Sequence, residues 1–388
     1  MAKTQGIDHV LARAAKAQDV PGVAAAASFE GKVIYEGAFG RRELGKSAPM
    51  TIDTVGWIAS MTKAITGAAA MREVERGTLS LDAPAADVLP ELNRTQVLEG
   101  FDAAGRPQLR APLRPITLRH LLTHTSGFTY DMWSADMCKY QAATDTPGII
   151  SCQNKALTTP LLFDPGERWE YGIGIDWAGK MIEAVSGQRL GAYMEQHIFA
   201  PLGMTSTSFK LTPSQRTRLA TIHARGADDQ FAPMAFEVPQ DPEFEMGGGG
   251  LYGTVQDYMK FTLMILNRGS YNGTQVLKPE TVQSMAINQI GNANVADMKT
   301  AIPPISNDVN LTAHGAAKWG LTFMISAQAT PQGRAPDSLN WAGLANSYFW
   351  IDPKRGVTGV FMTQILPFFD AKVIAVLGEF ESAVYGSL

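Results

Sequence analysis

Residues 339–364, "LNWAGLANSYFWIDPKRGVTGVFMTQ", read as three β-rich runs. They are Leu339–Gly343, Asn346–Asp352 and Val357–Gln364, and Asp352-Pro353-Lys354-Arg355-Gly356 is written as the turn between the last two. Upstream, "KWGLTFMIS" (318–326) reads as a further strand. Downstream, Val373, Leu377, Phe380 and Val384 recur at helical spacing and predict a closing helix. The other end of the chain mirrors this text. Ile7, Val10, Leu11, Ala14 and Ala15 predict a helix that stops before Pro21-Gly22, and "VAAAASF" and "KVIYEGAFG" flank Glu30-Gly31 as a hairpin. Strands at both ends, with mostly helical text between, predict an α+β fold. Its antiparallel sheet is completed by both chain ends and flanked by terminal helices. The expected division is 1–55 with 310–388 as an α/β lobe and 56–309 as a mostly helical inserted lobe, with the functional cleft between them. Residues 97–115, rich in turn formers and prolines, read as a surface hairpin.

The chain has 388 residues, 45% apolar and 18% charged, with a formal net charge of −4. That balance supplies no basic surplus for gripping a phosphate backbone, so nucleic acid is not an expected partner. The N-terminal text has no apolar run after Lys3, and no stretch reaches the ~18 apolar residues of a membrane span. A cytoplasmic protein with no membrane partner is the expectation; oligomeric state is not legible. Cys138 and Cys152 are too few for a disulfide framework and are expected as buried, reduced thiols.

Chemistry enters at "GWIASMTKAITGAAAMREVERG" (56–77). Ser60 is followed three residues later by Lys63, one helical turn away, so hydroxyl and amine share a face. Turn and extended text precede Ser60, and an Ala-rich helix closing at Arg76-Gly77 follows it. Ser60 therefore falls at a helix N-terminus, where free N–H groups favour a developing negative charge. The competing reading is a serine that only caps the helix. A nucleophilic serine needs a proton acceptor, and a lysine serves once desolvation disfavours its charged form; a tyrosine can share the task.

Further along stand "LLTHTSGF" (121–128), "PGERWEYGIGIDWAG" (165–179), "MGGGGLYGTVQDYMKF" (246–261) and "WAGLANSYFWIDP" (341–353). In this order and spacing, with Ser60-Met61-Thr62-Lys63, the chain resembles the serine β-lactamase and penicillin-binding protein superfamily. More narrowly it resembles the family VIII carboxylesterases, kin of the class C β-lactamases. The resemblance implies a β-lactamase-like fold, with Ser60 as nucleophile, Lys63 as its partner and Tyr171 as the second-motif tyrosine. It also implies an oxyanion hole from the N–H groups of Ser60 and Leu344, and Trp341-Ala342-Gly343 on the strand beside the nucleophile. Trp341, Gly343 and Tyr130 are the expected pocket residues.

Two positions depart from the β-lactamases. Ile173 replaces an asparagine, and Trp341 stands where a lysine would meet an anionic substrate, removing a charge-assisted hydrogen bond and leaving an aromatic wall. These features favour a serine carboxylesterase acting on small, short-acyl esters through an acyl-serine, with no metal or organic cofactor. Acyl transfer to a bound alcohol is the alternative, since the resemblance includes an enzyme that loads a side chain onto a statin precursor. Weak β-lactamase or D-Ala-D-Ala peptidase activity and a non-catalytic binding module are further alternatives.

Other signals read as structural. His120 and His124 have a zinc-compatible spacing on text that predicts a helix, without the HExxH glutamate, and Gly247–Gly250 lacks the Gly-Lys-Ser/Thr of a phosphate loop. No Gly-x-Ser-x-Gly marks an α/β-hydrolase. Tyr130, Trp133 and Trp169 are read as core residues or as walls of a pocket.

Overall fold

The structure, a computed structural model, describes residues 5–313 and 315–388. Helix α1 (Gln5–Lys16) leads into strands β1 (Gly22–Phe29) and β2 (Lys32–Gly40), and helix α2 (Thr62–Glu75) opens the middle of the chain. Helices α3 (Gly174–Ser186) and α4 (Val255–Leu266) follow there. Strands β3 (Ala317–Trp319), β4 (Met324–Ser326), β5 (Ser338–Gly343), β6 (Ser347–Asp352) and β7 (Val357–Met362) then precede the closing helix α5 (Ala371–Gly386).

Seven strands form one antiparallel sheet in the order β3-β4-β5-β6-β7-β1-β2. Pairing of β1 with β7, Ala24 opposite Met362 and Phe29 opposite Val357, joins the two chain ends as expected. Glu30 and Gly31 both take positive φ, the geometry of a tight hairpin turn. The run 318–326, expected as one strand, is two. Gly320–Phe323 turn the chain, with Thr322 at φ +76°, so Ala317 pairs with Ser326.

Strand β1 is an unbroken buried run from Val23 to Ala27 because both of its faces are covered. Helices α1 and α5 pack together on one face, where Ile7, Leu11, Val373, Phe380 and Val384 are buried. On the other lies α4, whose Thr262 hydroxyl meets Thr358 at 3.1 Å and whose Tyr258 ring packs 5.1 Å from Phe349. Helix α4 thus belongs to the sheet although it falls within the stretch expected as the helical lobe. Its apolar face matches the sheet, and local sequence text does not reveal which partner a face will find.

The surface hairpin is present as Val97–Phe101 paired with Pro107–Arg110. Helix α2 is buried nearly all round, as an Ala-rich helix enclosed by neighbours must be, and packs on α3. No helix among the described residues is long and apolar enough to cross a membrane.

Candidate active site

The chain reaches Ser60 through a strained residue. Ala59 has φ +44°, a left-handed conformation that costs a residue with a Cβ about 1 kcal/mol or more. The turn Ala59–Met61 is 3₁₀ and runs straight into α2. The approach is pinned from two sides: Trp57 N–H donates to Gln364 Oε1 at 2.8 Å, and its indole N–H to the Gly249 carbonyl at 2.7 Å. From the sheet, Gly343 at the end of β5 comes so close that a Cβ there would lie 2.3 Å from the Ile58 carbonyl oxygen. Gly343 therefore contributes close approach of backbone rather than a pocket wall. The next residue, Leu344, and Ser60 line the same clefts.

Both N–H groups expected to form an oxyanion hole sit where regular pairing has ended. Ser60 precedes the first donor of its helical turn, Met61, which bonds the Ile58 carbonyl at 3.0 Å. Leu344 follows Gly343, whose partner Ser347 is the last pair of the β5–β6 hairpin. That turn is clamped by Asn346, which donates to the carbonyls of Ile365 and Pro367 and accepts from Tyr348 and from the Asp370 N–H.

Lys63 is fully buried one turn beyond Ser60. Its Nζ donates to Ser60 Oγ at 3.0 Å, to Tyr130 Oη at 2.9 Å and to the Gly248 carbonyl. Burial pushes the amine down to about 7, against the opposing pull of the Asp176 charge. Asp176, also buried, is pushed up to about 6 by the same desolvation, while Lys63 draws it back.

Tyr171, the second-motif tyrosine, stands beside Ser60 and Lys63. Its ring lies beneath the amine, 4.7 Å from Nζ to centroid, and its Oη accepts from the Trp341 indole at 3.0 Å. Desolvation drives its phenol well above the ordinary value, with the Ser60 hydroxyl and the Trp341 indole pulling the other way. Among the described residues, the phenol bonded to Lys63 is that of Tyr130. Tyr130 was read as a wall, and it is one; it is also the amine's direct partner.

Two clefts diverge from Ser60 and share Trp133 and Leu344. One is walled by Met132, Ile149, Ile150 and Met246; the other by Met298, Trp341, Phe368 and Tyr171. Among the described residues, no ionised side chain lines either. Trp133, the shared divider, is fixed by its indole N–H on Ser306 Oγ at 3.0 Å.

Trp169 packs in the core behind Tyr171, against His124 and Trp319. His120 caps its own helix, accepting the Thr117 N–H on Nδ1. His124 lies past the helix at φ +57° and accepts the Gly172 N–H, 4.7 Å ring to ring from Tyr171, so the shared helix face expected of the two histidines is not formed. Cys138 is half-buried and Cys152 buried, and both are free. Asp176 was missed. Its only textual signal is an aspartate inside the Tyr171 motif, on a helix turned toward the glycine run.

The family model described as Beta-lactamase matches residues 7–378. The chain is similar to the Monacolin J acid methylbutanoyltransferase of Aspergillus terreus, 33% identical over 98% of this chain and 95% of that protein. It is also similar to the Lovastatin esterase of Penicillium rubens, 31% identical over 92% of each. Among solved structures it resembles a Simvastatin Synthase (LovD6 mutant) from Aspergillus terreus, with TM-score 0.85, 31% identity, and coverage of 99% of this chain and 97% of that one. These relatives carry the resemblance to the superfamily, through a transferase and an esterase, and do not point specifically to the family VIII esterases. The chain belongs to the beta-lactamase family, as an enzyme of its serine hydrolase and acyltransferase branch.

Proposed function

We propose that this protein transfers a short acyl group through an acyl-Ser60 intermediate to an alcohol acceptor, with water as the competing acceptor. The observation that carries the reading is the 3.0 Å contact between Ser60 Oγ and a fully buried Lys63, at the junction of two clefts without ionised walls. In this reading Lys63, whose amine burial brings down to about 7, takes the serine proton in its neutral form as Oγ attacks the acyl carbonyl. The N–H groups of Ser60 and Leu344 receive the oxyanion. Collapse of the adduct breaks the bond to the leaving oxygen, which takes up the proton from Lys63.

Tyr171 assists as a neutral donor. Its oxygen already accepts from Trp341, so its one O–H is free to point at the leaving oxygen, which places the alcohol in the cleft walled by Tyr171 and Trp341. The acyl group then occupies the cleft of Ile149, Ile150 and Met246. Deacylation runs the same path backward with the acceptor in place of the first alcohol.

Transfer is preferred over the carboxylesterase reading because the alcohol side is aromatic and apolar, and because the similar Aspergillus terreus protein is named as a methylbutanoyltransferase. Hydrolysis is the second reading, supported by similarity to a Lovastatin esterase. A β-lactam, with its carboxylate, meets no cation at Trp341. The test is product partition from p-nitrophenyl butyrate as an apolar acceptor alcohol is raised. Transferred ester should dominate at alcohol concentrations far below that of water; free acid as the sole product throughout would assign an esterase instead.

A further inference from the structure

The glycine run 246–250 and the aspartate of the Tyr171 motif converge on Lys63. Asp176 sits in the first turn of α3, 1% exposed, and its Oδ1 accepts the Gly248 N–H at 2.8 Å. The carbonyl of that same glycine accepts from Lys63 Nζ. The second oxygen, Oδ2, is buried with no hydrogen-bond partner among the described residues. It lies against the glycine: a Cβ on Gly248 would stand 2.5 Å from it. A glycine is needed there for the backbone to wedge between carboxyl and amine.

An unpartnered, buried carboxylate oxygen is costly and calls for a reason. Helix geometry supplies part of one, since an acid in the first turn is favoured by the dipole. It does not account for turning the side chain away from solvent and onto a segment 72 residues distant. We propose that Asp176 is a positioning residue for Lys63: its carboxylate, linked through Gly248, steadies the ammonium that forms when Lys63 takes the serine proton. The assignment rests on the acyl-serine reading above.

The surroundings leave these two groups to answer each other. Tyr130 and Tyr171 face Lys63 as phenols that burial keeps protonated, with the half-buried Asp131 next to Tyr130. His124 is held neutral by burial and by Lys63 itself. Burial, and then the Asp176 charge, push the Cys152 thiol up to about 12. The Thr66 hydroxyl is spent on the Gly247 carbonyl. Removing the negative charge while keeping the Gly248 bond therefore acts chiefly on Lys63.

The experiment is the pH profile of acylation by p-nitrophenyl butyrate in the native enzyme and in Asp176→Asn, with melting temperatures of both. Loss of the carboxylate should make Lys63 easier to deprotonate, moving the acid limb down by about one pH unit. Plateau acylation should fall about tenfold, because the ammonium formed in the transition state loses its counter-charge. A lower plateau or melting temperature with an unmoved limb would mean a structural role only and overturn the assignment, as would a native profile with no acid limb.

A second measurement does not need that variant to fold. Coupling is reciprocal, so Lys63→Met should shift the infrared titration of a buried carboxyl to higher pH, and a carboxyl band that does not move sinks the proposal. Failure of native protein to form an acyl-Ser60 adduct defeats the functional reading itself. A normal adduct with an unmoved limb and band defeats only the role of Asp176.

Discussion

Ser60 has two neighbours, an amine and a phenol, that are equally buried and are turned by burial to opposite uses. Desolvation disfavours the charged form of each group. In the proposed reaction the neutral form of Lys63 is the base, and burial pushes the amine down to about 7. For Tyr171 the neutral form is the hydrogen-bond donor of the proposed reaction, and the phenol is driven well above its ordinary value. Their hydrogen bonds continue the difference. Lys63 Nζ lies against Ser60 Oγ, Tyr130 Oη and the Gly248 carbonyl, and its neutral form has a lone pair for the serine hydroxyl, while Tyr171 accepts from the Trp341 indole and has one O–H to donate. One dry environment therefore suits both a proton acceptor and a hydrogen-bond donor.

Substitutions at the site can break this asymmetry or sharpen it. Ser60→Ala should abolish the acyl-enzyme mass shift and lower turnover by about 10⁶-fold while leaving the fold intact. Unchanged turnover in that variant would remove the nucleophile from the comparison altogether. Lys63→Met should cost about 10⁴-fold in acylation, ~5.5 kcal/mol of barrier, measured by stopped-flow release of p-nitrophenol. Tyr171→Phe should cost less, about 10²-fold, because a donor to the leaving oxygen can be partly replaced by water. Its penalty should shrink further with leaving groups of low pKa, which need no proton. Equal losses at the two positions, independent of leaving group, would show that amine and phenol do the same job.

The pH profile addresses the amine directly. Acylation should rise with pH through about 7 and then level, because the ammonium form of Lys63 cannot accept the serine proton and the amine form can. A fall across that interval would reverse the assignment of base. Trp341→Phe tests the phenol side at the smallest scale. It removes one hydrogen bond to Tyr171, worth ~1 kcal/mol, and should slow acylation about fivefold in kcat with little change in KM.

The site was legible in the text where its geometry is local. Ser60 and Lys63 lie three residues apart, and a helix puts them on one face whatever surrounds it. Tyr171, Leu344 and Trp341 were located by resemblance, and their surroundings decided more than their identities did. Tyr130 bonds Lys63 across 67 residues and Gly248 across 185, separations at which spacing carries no information. Asp176 shows the same limit, since its neighbours in sequence suggest an ordinary helix start. The strand run 318–326 was misread for a different reason. Gly320–Phe323 form a turn whose strain at Thr322 is borne by surrounding structure, and β-rich composition alone does not mark it.

The sequence by itself determined the α+β class, the meeting of both chain ends in one sheet, and a serine and lysine sharing a helical turn, because hydrophobic periodicity and helix pitch are properties of neighbouring residues. Tertiary structure alone decided that α4 covers the sheet, that two clefts part at Trp133, and that Lys63 is dry enough to sit near neutrality. Burial depends on what folds over a residue from elsewhere in the chain, and with it go the proton affinities on which the chemistry rests.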